Sequence, residues 1–117
     1  MLTLSNFING RFAPPVTGAY LDVFEPATGG VYAKAPDSSA DDVNLAVGVA
    51  KAAFPGWAAT PAEERSRIFL KLADLLEERQ DEFARAESKD TGKPISLAST
   101  ADIPRAIANF TCSMICL

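Results

Sequence analysis

Histidine is missing from the 117 residues of this chain, and cysteine occurs only twice. Ser-His-Asp and Cys-His catalysis are thereby excluded, as is a zinc site built from four Cys and His ligands of this chain alone. Basic charge is also scarce. The 11 Lys and Arg residues face 15 Asp and Glu, a net charge of −4, and such a field attracts neither nucleic acid nor an anionic membrane. No run of about 18 apolar residues occurs, and the N-terminal MLTLSNFINGRF has no basic segment followed by an apolar one, as a secretory signal would. The expectation is a cytoplasmic protein with no nucleic-acid and no membrane partner. Long β-branched runs, the mark of buried parallel strands, are absent too.

What is present is ordinary globular composition, 48% hydrophobic and 22% charged, in a chain about one domain long. The clearest stretch runs from Thr60 to Pro94. Thr60 reads as an N-cap, Pro61 as the first helical residue and Glu63 as a capping-box carboxylate. Ile68, Leu72, Leu75, Leu76, Phe83 and Ala86 then recur at helical steps as one apolar stripe, which needs a partner. Lys89, Gly92, Lys93 and Pro94 end the helix through charge, a left-handed C′ residue and a missing N–H. Because about 11–12 residues is the usual helix length, a break near Glu78 to Asp81 is expected.

Ahead of that stretch, Asn9-Gly10 between aromatic-flanked residues signals a two-residue hairpin turn. Tyr20 to Phe24 alternates as a strand, Glu25 to Gly30 is turn chemistry, and Val31 to Ala35 should return as the paired strand. Ser39 with Asp42 signals a helix start. Val43, Ala46, Val47, Ala50, Phe54 and Trp57 follow at helical spacing, Pro55-Gly56 is expected to close that helix, and Trp57 is read as a core residue. Downstream, either a helix starts at Asp102-Ile103-Pro104, or it begins near Leu97 and bends at Pro104. The expectation is two hairpins within residues 7–35 and helices at about 39–54, 61–91 and 98–116, with no internal domain boundary.

Candidate chemistry is thin. Gly29-Gly30 reads as a turn, since a dinucleotide fingerprint must open a helix after a strand. Gly92-Lys93 is not a phosphate-binding loop, because Glu87 stands where its first glycine belongs and Pro94 where it needs Ser or Thr. Glu77, Glu78, Asp81 and Glu82 read as a solvated helix face rather than tuned catalytic carboxylates. Cys112 and Cys116, four residues apart, share a helix face and read as packing residues with no basic neighbour to activate them.

Five segments in order nevertheless carry a likeness: Asn6-Phe7-Ile8-Asn9-Gly10; Glu25-Pro26-Ala27-Thr28-Gly29; Ala53-Phe54 with Trp57 and Glu64-Arg65; Leu72 to Glu77; and Asp90-Thr91-Gly92-Lys93-Pro94. Together they resemble the N-terminal portion of NAD(P)-dependent aldehyde dehydrogenases. Ser96 to Arg105 with Asn109-Phe110 is similar to the muconic-semialdehyde dehydrogenase branch. The resemblance implies an α/β parent fold with a Rossmann-type cofactor domain, of which this chain is a mainly helical partial N-terminal segment with two β-hairpins. It implies an oxidoreductase that converts an aldehyde to a carboxylate through a thiohemiacetal and hydride transfer to NAD or NADP. No residue here matches the family's catalytic cysteine, general base or dinucleotide loop, so no catalytic or cofactor-binding residue is assigned. Tight binding of the cofactor by this chain is not expected.

The resemblance also implies a monovalent-cation site at Asp102 and the backbone carbonyls of Val23 and Phe24. Thr111 to Leu117 departs from the family pattern, which suggests a truncated product. The implied partners are an aldehyde substrate and the rest of the enzyme or a homologous subunit. From another class, the chain reads as a non-catalytic helical module or truncated isoform that binds a full-length homologue through its apolar stripes.

Overall fold

The computed structural model of the chain describes residues 1–112. It divides into two compact units, residues 1–59 and residues from Thr60 onward.

The first unit starts with β-structure. Strands β2 (Asn6–Ile8) and β3 (Arg11–Ala13) pair antiparallel across Asn9-Gly10. Both turn residues have positive φ, 54° and 74°, as the expected two-residue turn requires. Phe7 and Phe12 face each other across this hairpin edge to face, with centroids 5.0 Å apart. Strands β4 (Tyr20–Glu25) and β5 (Gly30–Pro36) form the second hairpin, closed by a turn with Gly29 at φ 70°. Its register slips between Val23 and Phe24: Val23 pairs with Ala33 and Phe24 with Val31, leaving Tyr32 as the extra residue of a bulge. Strand β1 (Leu2–Thr3) joins β5 in parallel, giving the order β1-β5-β4. Sequence pattern had no means of showing β1, because two residues carry no periodicity and the pairing is non-local.

Helix α1 spans Ala40–Ala59 and carries Pro55 in its interior. The expected stop at Pro55-Gly56 is therefore a misreading: the helix absorbs the missing hydrogen bond and continues for another turn. Trp57 lies in that last turn and is 40% exposed, so it is not a core residue. Val43, Val47 and Phe54 of the expected stripe are exposed as well, while Ala46 and Val49 are half-buried.

The second unit is helical: α2 (Ala62–Glu78), α3 (Gln80–Thr91), α4 (Ile95–Leu97), a π-helical turn (Ala98–Asp102) and α5 (Ile103–Cys112). Helix α2 starts one residue later than expected. Pro61 is the cap, with ψ 141°, and its carbonyl accepts the N–H groups of Glu64 and Arg65. The expected break falls at Arg79 (φ −109°, ψ 21°), whose guanidinium forks onto Glu82 at 2.9 and 2.7 Å and lies over the Phe83 ring. Gly92 adopts the left-handed conformation at φ 75° and donates its N–H to Ser88, which closes α3 as the sequence implied.

The helical segment that follows begins at Ile95, ahead of both positions expected for it, and meets Pro104 through the π turn. A proline ring collides with the carbonyl four residues back in an α-helix, and widening the turn relieves that conflict. The end of the expected 98–116 helix, with Cys116, lies outside the described residues. Cys112 is exposed and free rather than packed.

Among the described residues the buried apolar side chains are all small: Pro15 and Ala33 in the first unit, and Ala73, Ala84 and Ala98 in the second. Ala84 and Ala98, both fully buried, belong to α3 and the π turn, which pack against each other. Phe69 stacks on Phe110 at 6.3 Å where α2 meets α5. The packing row of α2 is thus Phe69, Ala73 and Leu76. Ile68, Leu72 and Leu75 of the expected stripe remain exposed.

Candidate functional site

In the first unit the polar centre is Asp42, which is 4% exposed. Its Oδ1 accepts the Val16 N–H at 2.9 Å and the Asn6 amide at 3.5 Å. Its Oδ2 accepts the Ser39 N–H at 2.9 Å and the Ser39 hydroxyl at 3.1 Å. The Ser39 hydroxyl in turn accepts the Asp41 N–H at 3.3 Å. The capping box read from Ser39 and Asp42 is realised, with aspartate in place of the usual glutamate. The backbone N–H of Val16, then that of Ser39, holds the Asp42 carboxyl below its ordinary value. A carboxylate with both oxygens so engaged is a structural hub. The shallow depression of about 220 Å³ beside it, lined by Asn6, Phe7, Ile8, Ser38, Val43 and Ala46, therefore has no free anion to offer a ligand.

In the second unit the polar centre is Lys93. Its Nζ lies 2.8 Å from Asp102 Oδ2 and 3.1 Å from Glu87 Oε1, all three side chains about one-third exposed. Hydrogen bonds to Asp102 and then Glu87 raise the Lys93 pKa. The backbone beside it is tied as well, since the Ser88 hydroxyl donates to the Lys93 carbonyl at 2.7 Å. Asp102 closes the π turn. Val23 and Phe24 lie opposite the β5 bulge on β4, an edge strand whose outer backbone groups are not used by the β5 ladder. Val23 and Phe24 are thus neighbours in one unit, and Asp102 belongs to the other. The engagement of Asp102 by Lys93 escaped the sequence reading, because nine residues of separation across a helix end give no periodic signal.

The remaining candidates behave as solvated or structural groups. Glu77, Glu78, Asp81 and Glu82 are exposed, and among the described residues no three His, Cys, Asp or Glu side chains cluster as metal ligands. Gly29 closes a hairpin and Gly92 a helix, so neither opens a helix after a strand. No described helix is long and apolar enough to cross a membrane.

Residues 12–115 match the sequence pattern of the aldehyde dehydrogenase family. The chain belongs to that family. The 2-aminomuconic semialdehyde dehydrogenase of Bos taurus is 51% identical over 110 residues, which are 94% of this chain and 22% of that protein. The 2-hydroxymuconic semialdehyde dehydrogenase of Pseudomonas sp. (strain CF600) is 42% identical over 111 residues, 94% of this chain and 23% of that one. Among solved structures, PnpE from Pseudomonas sp. WBC-3 is similar with a TM-score of 0.93 and 42% identity, covering 97% of this chain and 23% of PnpE. The NAD+ complex of a Bacillus cereus aldehyde dehydrogenase gives a TM-score of 0.92 at 34% identity, covering 96% of this chain and 23% of that enzyme. The chain thus has the fold of a part of an aldehyde dehydrogenase, and it spans about a fifth of the length of the curated relatives it matches, 22% of the bovine enzyme.

Proposed function

We propose that this chain is a partial N-terminal segment of the cofactor-binding domain of an NAD(P)-dependent aldehyde dehydrogenase whose substrate is a muconic-type semialdehyde. The observation that carries the reading is the 51% identity to 2-aminomuconic semialdehyde dehydrogenase over 110 residues. The segment's part in that enzyme is architectural. It contributes no thiolate, base or dinucleotide loop from its described residues, and its hairpins and helices support a domain that binds and orients substrates elsewhere. The experiment is a chimera in which this chain replaces the matching segment of the bovine enzyme. The expected result is NAD-dependent oxidation of 2-aminomuconic semialdehyde in preference to a simple aliphatic aldehyde. A folded chimera that has lost that preference overturns the muconic assignment.

Within that enzyme, we propose Asp102 as a ligand of the monovalent cation that the family resemblance implies. An anionic carboxylate is a hard oxygen donor of the kind such an ion takes. Lys93 already neutralises Asp102 at 2.8 Å, so an added ion shares or displaces that ammonium. In the chimera, thermal stability is expected to rise with potassium at constant ionic strength, and Asp102→Ala to abolish the rise. An identical potassium response in Asp102→Ala removes Asp102 from the site.

A further inference from the structure

The π turn Ala98–Asp102 leaves one backbone group without its helical partner. In the π register each N–H bonds the carbonyl five residues back, and Ile103 does so, donating to Ala98. The next bond of that register would run from residue 104 to Ser99, but residue 104 is proline and has no N–H. A half-buried carbonyl left without a donor is costly. The Ser99 carbonyl instead accepts a hydrogen bond from the Gln80 side-chain amide at 2.7 Å, across 19 residues of sequence. Gln80 is the first residue of α3, immediately after the break at Arg79, and it is the sole glutamine of the chain.

We propose that the Gln80 carboxamide stands in for the N–H that Pro104 lacks, so that α3 splints the π turn and fixes where α5 begins. Two further observations fit this role. The alanine contact between α3 and the π turn, Ala84 and Ala98 both fully buried, brings the elements close enough for a glutamine to reach. Lys93 holds the far end of the turn through Asp102. Gln80 is thus a positioning residue for Asp102, and its role concerns this chain's own backbone whether the parent enzyme takes a semialdehyde or another aldehyde.

The test is a double-mutant cycle on the full chain, read by residue-resolved hydrogen exchange of the Ile103 amide. Gln80→Met should speed that exchange roughly threefold to tenfold, the range for losing one hydrogen bond. Pro104→Ala restores an N–H at residue 104, and in that background Gln80→Met should change the rate by less than about twofold. Equal acceleration in both backgrounds would show that Gln80 acts through general packing and overturns the proposal. No acceleration in either background overturns it too. The unmutated chain supplies an independent check: the Gln80 side-chain amide protons should exchange more slowly than those of exposed Asn44. Equal rates, or an unprotected Ile103 amide, also overturn the proposal.

Discussion

At the scale of single residues, the groups that matter are polar ones held by backbone. Asp42 shows how this couples to pH. Because the Val16 and Ser39 N–H groups depress its carboxyl in the folded chain, Asp42 contributes stability that is present above its ordinary value of 3.8 and is lost as pH falls through the lower folded value. A urea midpoint measured from about pH 5 down to pH 2 should therefore fall. Asp42→Asn should start from a lower midpoint and show a flatter profile, and an unchanged profile would refute the hub. Lys93 has the opposite sign. Its raised pKa means that its contribution is present below its ordinary value of 10.5 and is lost as pH rises through the folded one. Gly92 is the clearest single-residue conformational requirement. At φ 75°, Gly92→Ala should cost about 1–2 kcal/mol of folding stability, measurable by chemical denaturation.

At the scale of elements, both interior prolines show a helix overriding a local signal. Pro55 sits inside α1, and Pro55→Ala should raise far-ultraviolet helicity and stabilise that helix by up to about 3 kcal/mol. No gain would mean that the helix has already adapted fully to the ring. The contact between α3 and the π turn is close because alanines line it. Ala98→Leu should accordingly overpack it and destabilise by about 1–3 kcal/mol in the same assay. The hairpin turns, the start of α1 and the end of α3 were legible because each rests on a local rule about φ, a cap or a charge, whereas the break near Arg79 followed only from the usual helix length. The π turn was not legible as such. Pro104 signalled only that something must yield, and the Ser99 carbonyl in that turn finds its donor in Gln80, 19 residues before Ser99.

At the scale of the whole molecule, the buried apolar side chains among the described residues are small, four alanines and Pro15, whereas Phe7, Phe12, Phe24, Phe54, Ile68 and Leu75 are exposed. Surfaces of that kind drive association. The isolated chain should bind an environment-sensitive dye and sediment as concentration-dependent species. A monodisperse monomer at all concentrations with no dye binding would refute this. Calorimetric titration should also find no micromolar saturable binding of NAD to this chain, since its positive-φ glycines, Gly10, Gly18, Gly29 and Gly92, lie in turns or at a helix end instead of opening a helix under a pyrophosphate.

The sequence by itself determined the elements whose causes lie within a few residues: two hairpins, helix starts and stops, and an ordered set of five segments that resembles one enzyme family. It also excluded, by the absence of histidine, the catalytic arrangements that need it. Tertiary structure decided what depends on contacts between distant residues. It turned the Ile68, Leu72 and Leu75 row outward and the Phe69, Ala73 and Leu76 row inward, because both rows have helical spacing and only the face of α5 selects between them. It carried α1 past Pro55, seated Lys93 between Glu87 and Asp102, and gave the Ser99 carbonyl a donor from another helix. Each of these outcomes is a pairing across space, and local propensity holds no information about which partner will arrive.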